Sequence, residues 1–491
     1  MPLPKYKYQW YQMIYENIPK IHEEARRFGD KLGTTKLKRD IGLYPGSSSR
    51  PGNLPSYVLD EIVRTNRSGK TFRVRTVEDQ LREVIKDVYG DAYDAAAANT
   101  CEAALRITLE TLCAPPSMRH GDIYRARLLM PYGEDYEWVG GYGRAFPPKY
   151  KNLLVDRTLS GGELGIENKS LANLETLYVR MAGARYEPHG IRYNPTSLLT
   201  RVDVEGTMDN VRKAAARHAS LLTGVAAVGY DTISYGHGGK DEKGAPVLLK
   251  KLAEVAREYD VPYLVDTGGS IPIVGMDPRD IDCDIITYSM DKPGRAPASG
   301  LIIGKEEIIN PIRKGMGLGG QRYGELSSHG KAVYTYSDPG RDTVVGLVAY
   351  LKVLRDRPHL VTDPIDRFHE ILIEEFKHLK PARFREKLIF EKTYQLGGTE
   401  INYERTWDED GVFGIPIFNL EDLWANTNPI VSAQEYMGVE PSTIYSGKMF
   451  LGPGMGTLDE EGNLIEEYAV LGAKTLVKAV EIVCKYAGVG D

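Results

Sequence analysis

The sequence has few cysteines and no long apolar run, and both absences narrow the kind of protein it encodes. Its four cysteines, at positions 101, 113, 283 and 484, are scattered without a Cys-x-x-Cys pair, so we expect neither a disulfide framework nor a metal site. No apolar stretch approaches the length of a membrane span, and the first residues, MPLPKYKYQWYQ, lack the apolar core of a signal peptide. We therefore expect a soluble protein of the reducing cytoplasm.

An excess of basic residues is also missing. The formal net charge is −6 over 491 residues, with the two signs interspersed, which provides no electrostatic footprint for nucleic acid. The length instead allows two or more domains with a large core, and the composition is that of a globular protein. No internal repeat or low-complexity tract is found. We therefore expect no nucleic-acid partner and no membrane partner.

What the sequence does contain is a stretch, residues 261 to 304, in which polar residues follow short apolar runs. Three such runs have the composition of buried strands: 261–265, 285–289 and 301–303. Asp266 follows the first run directly, and Lys292 lies on the Pro/Gly-rich loop between the second and the third. Because ligands of open α/β sheets bind at the carboxyl ends of the strands, we predict that both side chains face a binding site.

A lysine in that position is partly shielded from water, which favours the free amine and makes it a nucleophile toward a carbonyl. Formation of a Schiff base is the natural use of such an amine. If the carbonyl is the aldehyde of pyridoxal phosphate, Asp266 is the carboxylate that would keep the ring nitrogen protonated. The alternative is an ordinary surface lysine after a strand and an aspartate that begins a turn. The two residues in one strand-turn-strand context favour the cofactor.

The segment Ser289-Met290-Asp291-Lys292, followed by Pro297 and Gly300, resembles the Ser-x-Asp-Lys segment of bacterial selenocysteine synthase and its lyase-like relatives. This group is close to the class V aminotransferases and belongs to the fold-type-I pyridoxal-phosphate enzymes. The segment Val265 to Ser270 is similar to that family's Val-Asp-x-Gly-Ser-Gly segment. The resemblance is specific over residues 225–305 and looser over 60–110.

This resemblance implies a three-layer α/β large domain with a mainly parallel seven-stranded sheet, and a small α+β domain at the C-terminus. The alternation of predicted helices and strands favours the same fold class. We predict an N-terminal arm over 1–55, a large cofactor-binding domain over 56–335 and a small domain over 336–491. The family further implies a homodimer or higher oligomer, pyridoxal phosphate held on Lys292, and contacts from Asp266 and Ser289.

A second candidate region is the start of the predicted helix 102–112. Asn99, Thr100 and Cys101 precede or begin it, and the free N–H groups of a helix start are a ready site for a phosphate. Fold-type-I enzymes bind the cofactor phosphate at this point in chain order, so these three are our phosphate-binding residues. The alternative is that Asn99 or Thr100 only caps the helix.

Two loops after predicted strands supply further cofactor contacts. Tyr132 or Tyr136, after the strand 127–131, is placed to stack on the pyridine ring, although the protein has 31 tyrosines and each one has packing as its alternative role. The polar loop after the strand 225–228 contains Asp231, Thr232 and His237, which we place near the ring oxygen or the substrate. An ordinary loop is the alternative there.

A substrate carboxylate needs a cation, and arginine is the usual choice. Five arginines of the C-terminal third are candidates: Arg322, Arg341, Arg383, Arg385 and Arg405. We favour Arg341, ahead of a long predicted helix, and retain two arginines in glycine-rich loops, Arg50 and Arg322. A solvated loop without a ligand is the alternative for each of these two.

Helical spacing of apolar residues predicts six further helices, at 8–28, 76–89, 170–182, 208–221, 344–354 and 468–486. The leading functional hypothesis is a pyridoxal-phosphate enzyme acting on an amino acid as a lyase, by α,β-elimination, or as a β-replacement transferase. The alternatives are an aminotransferase, a selenocysteine-synthase-like enzyme acting on aminoacyl-tRNA, and a non-catalytic scaffold of the same fold.

Overall fold

The computed structural model describes residues 7–41, 53–68, 74–112, 127–132, 175–180, 204–230, 232, 239–292, 295–318, 334–407, 413–418, 422–423, 426–445 and 447–489. Its helices are α1 Lys7–Glu16, α2 Ile18–Leu32, α3 Thr34–Ile41, α4 Ser56–Arg67, α5 Val74–Tyr89, α6 Cys101–Leu112, α7 Val204–Arg217, α8 Val247–Glu258, α9 Glu306–Gly315, α10 Arg341–Asp356, α11 His359–Phe376, α12 Pro429–Tyr436 and α13 Glu466–Tyr486. Its strands are β1 Tyr93–Ala98, β2 Arg127–Tyr132, β3 Glu175–Arg180, β4 Leu222–Val228, β5 Tyr263–Asp266, β6 Ile285–Ser289, β7 Gly300–Lys305, β8 Ile389–Thr393, β9 Gly398–Asn402, β10 Thr443–Tyr445 and β11 Lys448–Leu451.

Seven strands form one sheet in the order β1-β7-β6-β5-β4-β2-β3. The pairs β6-β5, β5-β4, β4-β2 and β2-β3 are parallel, and β7 runs antiparallel to both of its neighbours. This arrangement confirms the predicted α/β class with a mainly parallel seven-stranded sheet. The strands β4, β5 and β6 end side by side, which brings the residues that follow them to one edge.

Both faces of this sheet are covered by helices. Apolar residues of α5, α7, α8 and α10 pack in one core against one face, and those of α6 and α9 pack in a second core against the other. Because helices cover both faces, the described residues of β4 and β6 are buried without alternation, as are those of β1, which contains four successive alanines. The described strands and helices thus form three layers.

The C-terminal part contains an antiparallel sheet in the order β10-β11-β9-β8. Its core is shared with the first helices of the chain: Trp10 and Ile14 of α1 are fully buried among residues of α11, α12 and α13. The predicted single helix over 8–28 is wrong, since α1 ends at Glu16 and α2 begins at Ile18. Pro19 in the first turn of α2 explains the break, because proline has no N–H with which to continue the preceding helix.

The helix predicted over 170–182 is also wrong, because residues 175–180 form the edge strand β3. This segment pairs in parallel with β2 from Glu175↔Arg127 to Arg180↔Tyr132. Its sequence, ETLYVR, contains the strand-favouring residues Thr, Tyr and Val. Its backbone forms hydrogen bonds with β2 in place of the bonds that it would form within a helix. The other predicted helices are confirmed, with ends shifted by a few residues.

None of the helices in the described ranges combines the length and the apolar character needed to cross a membrane.

Candidate functional site

Asp266 is the last residue of β5, a central strand of the large sheet. Its Oδ1 accepts a hydrogen bond from the Thr287 hydroxyl at 3.0 Å and another from the Gly268 N–H at 3.2 Å. Thr287 lies opposite Asp266 in the parallel register of β5 and β6. The carboxylate is therefore fixed at the carboxyl edge of the sheet, at the position predicted for it.

Lys292 follows the next strand, β6, by three residues and is half-buried. The loop before it is ordered by Ser289, whose hydroxyl donates to the Asp291 carboxylate at 2.8 Å. Ser289 is buried, and its hydrogen bond to Asp291 holds the loop that carries Lys292. Its predicted contact with a cofactor stays a prediction.

Cys101 is the first residue of α6, and its Sγ lies 4.0 Å from Asp266 Oδ1. Burial raises the pKa of the Cys101 thiol well above its ordinary value, and the Asp266 carboxylate raises it further, whereas Lys292 acts in the opposite direction. Both Asp266 and Lys292 are thus close enough to act on the charge of this thiol. Helix α6 begins beside the predicted lysine-aspartate pair, and Cys101 stays protonated there.

The two residues before α6 are held by local hydrogen bonds. The Thr100 hydroxyl accepts from the Ala103 N–H at 3.0 Å, which is the geometry of a helix N-cap. Asn99 donates from its backbone N–H to the Ser337 carbonyl at 2.8 Å and from its side chain to the Tyr336 carbonyl at 3.1 Å. The capping alternative therefore holds for Thr100. An N-cap leaves the first N–H groups of the helix without helical partners, so the predicted phosphate contact is compatible with it.

Thr232, four residues beyond the end of β4, is fully buried, and its hydroxyl has no hydrogen-bond partner in the part of the chain that the structure describes. A buried hydroxyl without a partner is costly, and a polar group bound at this edge of the sheet would satisfy it. The residues present therefore fit pyridoxal phosphate: an amine at Lys292, a carboxylate at Asp266, free N–H groups at the start of α6 and an unmatched hydroxyl at Thr232.

Other predicted residues are placed elsewhere or lie outside the described residues. The guanidinium of Arg341, at the start of α10, bonds the Asp342 carboxylate at 2.9 Å and also Asn66 of α4, and no contact joins it to Asp266 or Lys292 within the described ranges. Tyr132 is the last residue of β2, and nothing is described of its side chain. The predicted residues Arg50, Tyr136, Asp231, His237 and Arg322 lie outside the described residues. No cluster of three metal-binding side chains occurs among the residues described.

Sequence reasoning missed Thr287, although this residue donates directly to Asp266. A polar threonine inside the apolar run Ile285–Ser289 was the available signal. The run alone does not reveal that Thr287 lies opposite Asp266, because strand register is set by the pairing of two distant segments.

No protein-family model matches the sequence, and no curated protein matches it. Solved structures with a similar fold include a complex of SepCysS with the N-terminal domain of SepCysE, at 13% identity over 90% of this chain and 96% of that chain, with a TM-score of 0.49. A taurine:2-oxoglutarate aminotransferase from Bifidobacterium kashiwanohense, in complex with PLP and glutamate, is similar at 11% identity over 87% and 86%, with a TM-score of 0.49. A D-glucosaminate-6-phosphate ammonia-lyase is similar at 11% identity over 92% and 99%, with a TM-score of 0.44. At these identities the activity of this chain has to be argued from its own side chains.

Proposed function

We propose that this protein is a pyridoxal-phosphate enzyme that acts on an amino acid and holds its cofactor covalently on Lys292. The observation that carries the proposal is the meeting of three elements at one edge of the sheet. Asp266 ends β5, Lys292 follows β6, and α6 begins at Cys101, 4.0 Å from the Asp266 carboxylate. The other two cysteines found in the described residues, Cys283 and Cys484, are buried away from this edge in the two cores.

Each residue of the site has a separate role in the proposal. Asp266 would hold a proton on a ring nitrogen, and Thr287 and Gly268 fix its carboxylate for that purpose. The start of α6 would bind the phosphate, and Thr232 would donate to or accept from the bound group. Lys292 would hold the cofactor and, once released from it, take up and return a proton at Cα of the substrate.

When bound, pyridoxal phosphate supplies an aldehyde that condenses with amines and a ring that accepts electrons from the substrate. The chain supplies orientation, charge and the proton-transferring amine. We propose elimination or replacement of a group at Cβ as the reaction, since the lysine segment resembles that of lyase-like enzymes. Transamination uses the same lysine and aspartate, and experiment must separate the two reactions.

The site is tested by loading purified protein with pyridoxal phosphate, reducing it with borohydride and locating the modified residue by mass spectrometry. We expect a pyridoxyl group on Lys292. In Lys292→Ala the group should be absent, while cofactor still binds reversibly, because covalent attachment and phosphate binding are separate contributions. Lys314→Ala, which removes an exposed lysine of α9, is the matched control and should keep the modification. Modification of another lysine in fully loaded wild-type protein would refute the proposal.

The reaction type is tested with a panel of amino acids. Release of ammonia or of the group at Cβ identifies elimination, and incorporation of an added nucleophile identifies replacement. Formation of a keto acid that requires a second keto acid identifies an aminotransferase, which would refute the elimination proposal and leave the lysine assignment intact. Absence of turnover with every substrate, together with absence of bound cofactor, would favour a non-catalytic scaffold.

A further inference from the structure

The turn between β8 and β9, residues 394–397, reaches the carboxyl edge of the large sheet. Gln395 in this turn is fully buried, and its Nε2 donates to the Gly229 carbonyl at 2.6 Å, although the two residues are 166 positions apart. The backbone carbonyl of Gln395 accepts from the Ile271 N–H at 2.5 Å. One residue of the C-terminal antiparallel sheet region is thus bonded to two segments of the large sheet, the one that follows β4 and the one that follows β5.

Both of these segments are bonded to Asp266. The Gly229 N–H donates to the Asp266 backbone carbonyl at 2.7 Å. Ile271 follows the turn after Asp266, and within that turn the Gly268 N–H donates to Asp266 Oδ1 at 3.2 Å. Gln395 is therefore joined to Asp266 through a single intervening residue, Gly229, and it also holds the far end of the turn that donates to the carboxylate.

The contact around Gln395 is close on its backbone side as well. A Cβ atom at Gly275 would lie 2.8 Å from the Gln395 Cα and 2.6 Å from the Ile271 carbonyl oxygen. Backbone therefore meets backbone at a distance that only glycine permits, and tightly packed groups of this kind transmit a displacement instead of absorbing it.

The side-chain amide of Gln395 is satisfied on one side only. Its Oε1 is buried and has no hydrogen-bond partner among the described residues. Methionine, which has a similar length, would remove this unmatched oxygen but would leave the buried Gly229 carbonyl without the donor that Gln395 provides. One buried acceptor is unmatched with either residue, so the amide adds little to stability. What the amide changes is which oxygen is held, and the oxygen that it holds belongs to the segment beside Asp266.

We propose that Gln395 is a positioning residue of the site. By holding Gly229 and Ile271 it fixes the end of β4 and the turn after β5, and through them the Asp266 carboxylate. It acts through these segments and not by contact with the reacting atoms. The proposal rests on the proposed function, since its consequence is the binding of pyridoxal phosphate beside Asp266.

Gln395→Met tests the proposal in the full chain, because it keeps the length of the side chain and removes the donor. We expect the affinity for pyridoxal phosphate, titrated by the cofactor absorbance, to fall about tenfold. Amide hydrogen exchange, measured by mass spectrometry without cofactor, should become faster over residues 266–271. The midpoint of denaturant unfolding should change little.

Gln434→Met is the matched control, since Gln434 is a fully buried glutamine of α12 whose side-chain amide bonds Ser442. It should keep the wild-type affinity and the wild-type exchange over 266–271. Gln395→Glu is the conservative variant, because a protonated carboxyl can donate to the Gly229 carbonyl as the amide does. At about pH 6 burial keeps such a carboxyl protonated, and its affinity should equal that of the wild type at the same pH. At about pH 9 the ionised carboxylate has no proton to donate, and the affinity should fall below that of the wild type.

Wild-type affinity in Gln395→Met would overturn the proposal, as would equal losses in Gln395→Met and Gln434→Met. A Gln395→Glu affinity that stays low at both pH values would also overturn it, and this comparison decides the question if Gln395→Met does not fold. If the wild type binds no pyridoxal phosphate, the proposed function is refuted, and amide exchange alone decides this proposal. Faster exchange over 266–271 in Gln395→Met but not in Gln434→Met would then support it, and unchanged exchange would overturn it.

Discussion

Oδ1 of Asp266 accepts hydrogen bonds from the Gly268 N–H and from the Thr287 hydroxyl on the neighbouring strand, and the Cys101 thiol approaches the same oxygen at 4.0 Å. A hydrogen bond to a charged group contributes roughly 1.5–3 kcal/mol, more than one between neutral groups. The Thr287 hydroxyl therefore contributes to the position and charge of Asp266 without contact to the reacting atoms. Removing the Thr287 hydroxyl should lower the affinity for the cofactor more than it lowers the stability of the fold.

Thr287→Val replaces the hydroxyl by a methyl group of similar size, and we expect the affinity for pyridoxal phosphate to fall about tenfold. The affinity is measured by titrating the cofactor absorbance. Thr475→Val is the control, because Thr475 is a buried threonine of α13 whose hydroxyl donates to the Gly472 carbonyl at 2.7 Å, within its own helix. Equal losses in the two variants would show that Thr287 has no specific effect on the site.

A second carboxyl, Glu78 of α5, is fully buried against Arg313, with 3.1 Å between its Oε2 and Nη1 of the arginine. Burial raises the pKa of Glu78 to about 7, although Arg313 acts to lower it. In the unfolded chain a glutamate titrates near pH 4.3. Between these two pH values the folded protein retains a proton that the unfolded chain has released, so the stability contributed by protonated Glu78 is lost as the pH rises.

We therefore expect the free energy of unfolding of the wild type to fall relative to that of Glu78→Gln between about pH 5 and about pH 8, by roughly 2–4 kcal/mol. Denaturant unfolding of both proteins at the two pH values measures this difference. Other groups titrate in both proteins and cancel in the comparison. A difference between the two proteins that stays constant with pH would contradict the raised pKa of Glu78.

Helix α6 and strand β7 approach each other closely at Gly300. A Cβ atom at this position would lie 2.2 Å from the Thr100 carbonyl oxygen and 2.8 Å from the Ala104 Cβ. A backbone atom cannot move aside as the end of a flexible side chain can. The position of the first turn of α6 against β7 therefore requires glycine at position 300. Gly300 thus allows α6 to pack closely on the sheet, and this packing sets the position of the predicted phosphate site.

Gly300→Ala should move the start of α6 away from the sheet, lower stability by about 1–3 kcal/mol and weaken cofactor binding. Thermal unfolding and cofactor titration measure the two effects. Gly90→Ala is a useful comparison, because a Cβ there meets nothing within 4 Å, while its φ of +94° makes the change costly for the backbone alone. That variant should lose stability and keep its affinity. Wild-type cofactor affinity in Gly300→Ala would contradict the role of the close contact.

The two ends of the chain are packed together in one core. Trp10 of α1 is fully buried, stacks on Phe413 with ring centroids 4.7 Å apart, and donates its Nε1–H to the Ala487 carbonyl at 2.6 Å. The two large cores are joined by Gln395, whose Nε2 donates to the Gly229 carbonyl at 2.6 Å. The first helix is thus part of the C-terminal core, and the boundaries predicted at 55/56 and 335/336 stay predictions.

Trp10→Ala should lower the free energy of unfolding by about 3–5 kcal/mol, because it removes a large buried ring and a buried hydrogen bond together. Trp10→Phe should recover part of this loss. Gln12→Ala, which changes an exposed residue of the same helix whose side chain donates to Glu16 at 2.9 Å, should be neutral. Denaturant unfolding of the three variants is the measurement. A loss of less than 1 kcal/mol in Trp10→Ala would contradict the packing described.

Oligomeric state is a further prediction, since the resemblance implies that such enzymes build their sites between subunits. Light scattering of cofactor-loaded protein should give the mass of a dimer or a larger assembly. A monomer that carries cofactor and turns over substrate would contradict this expectation.

Local patterns in the sequence predicted much of the large sheet. The strand Ile285–Ser289 was placed at its observed bounds and Lys292 was placed on the loop after β6, because a buried strand needs an uninterrupted apolar run and the polar or glycine residues that follow mark its end. Asp266, which was predicted to follow its strand directly, is the last residue of β5. The start of α6 was predicted within one residue from the polar pair Asn99-Thr100.

Contacts between distant segments could not be predicted in this way. Four features join parts of the chain that share no local pattern. Two of them lie in the site: Thr287 pairs with Asp266, and Cys101 contacts Asp266, which is 165 residues away in the sequence. The other two are the pairing of strand 175–180 with β2 and the burial of Trp10 beside Ala487. The ends of strands and helices can be predicted locally, because a polar residue or a glycine that interrupts an apolar run is recognised from its few neighbours in the sequence. Strand register, helix docking and the burial of Trp10 depend on which distant surfaces pack against each other, and only the tertiary structure decides that.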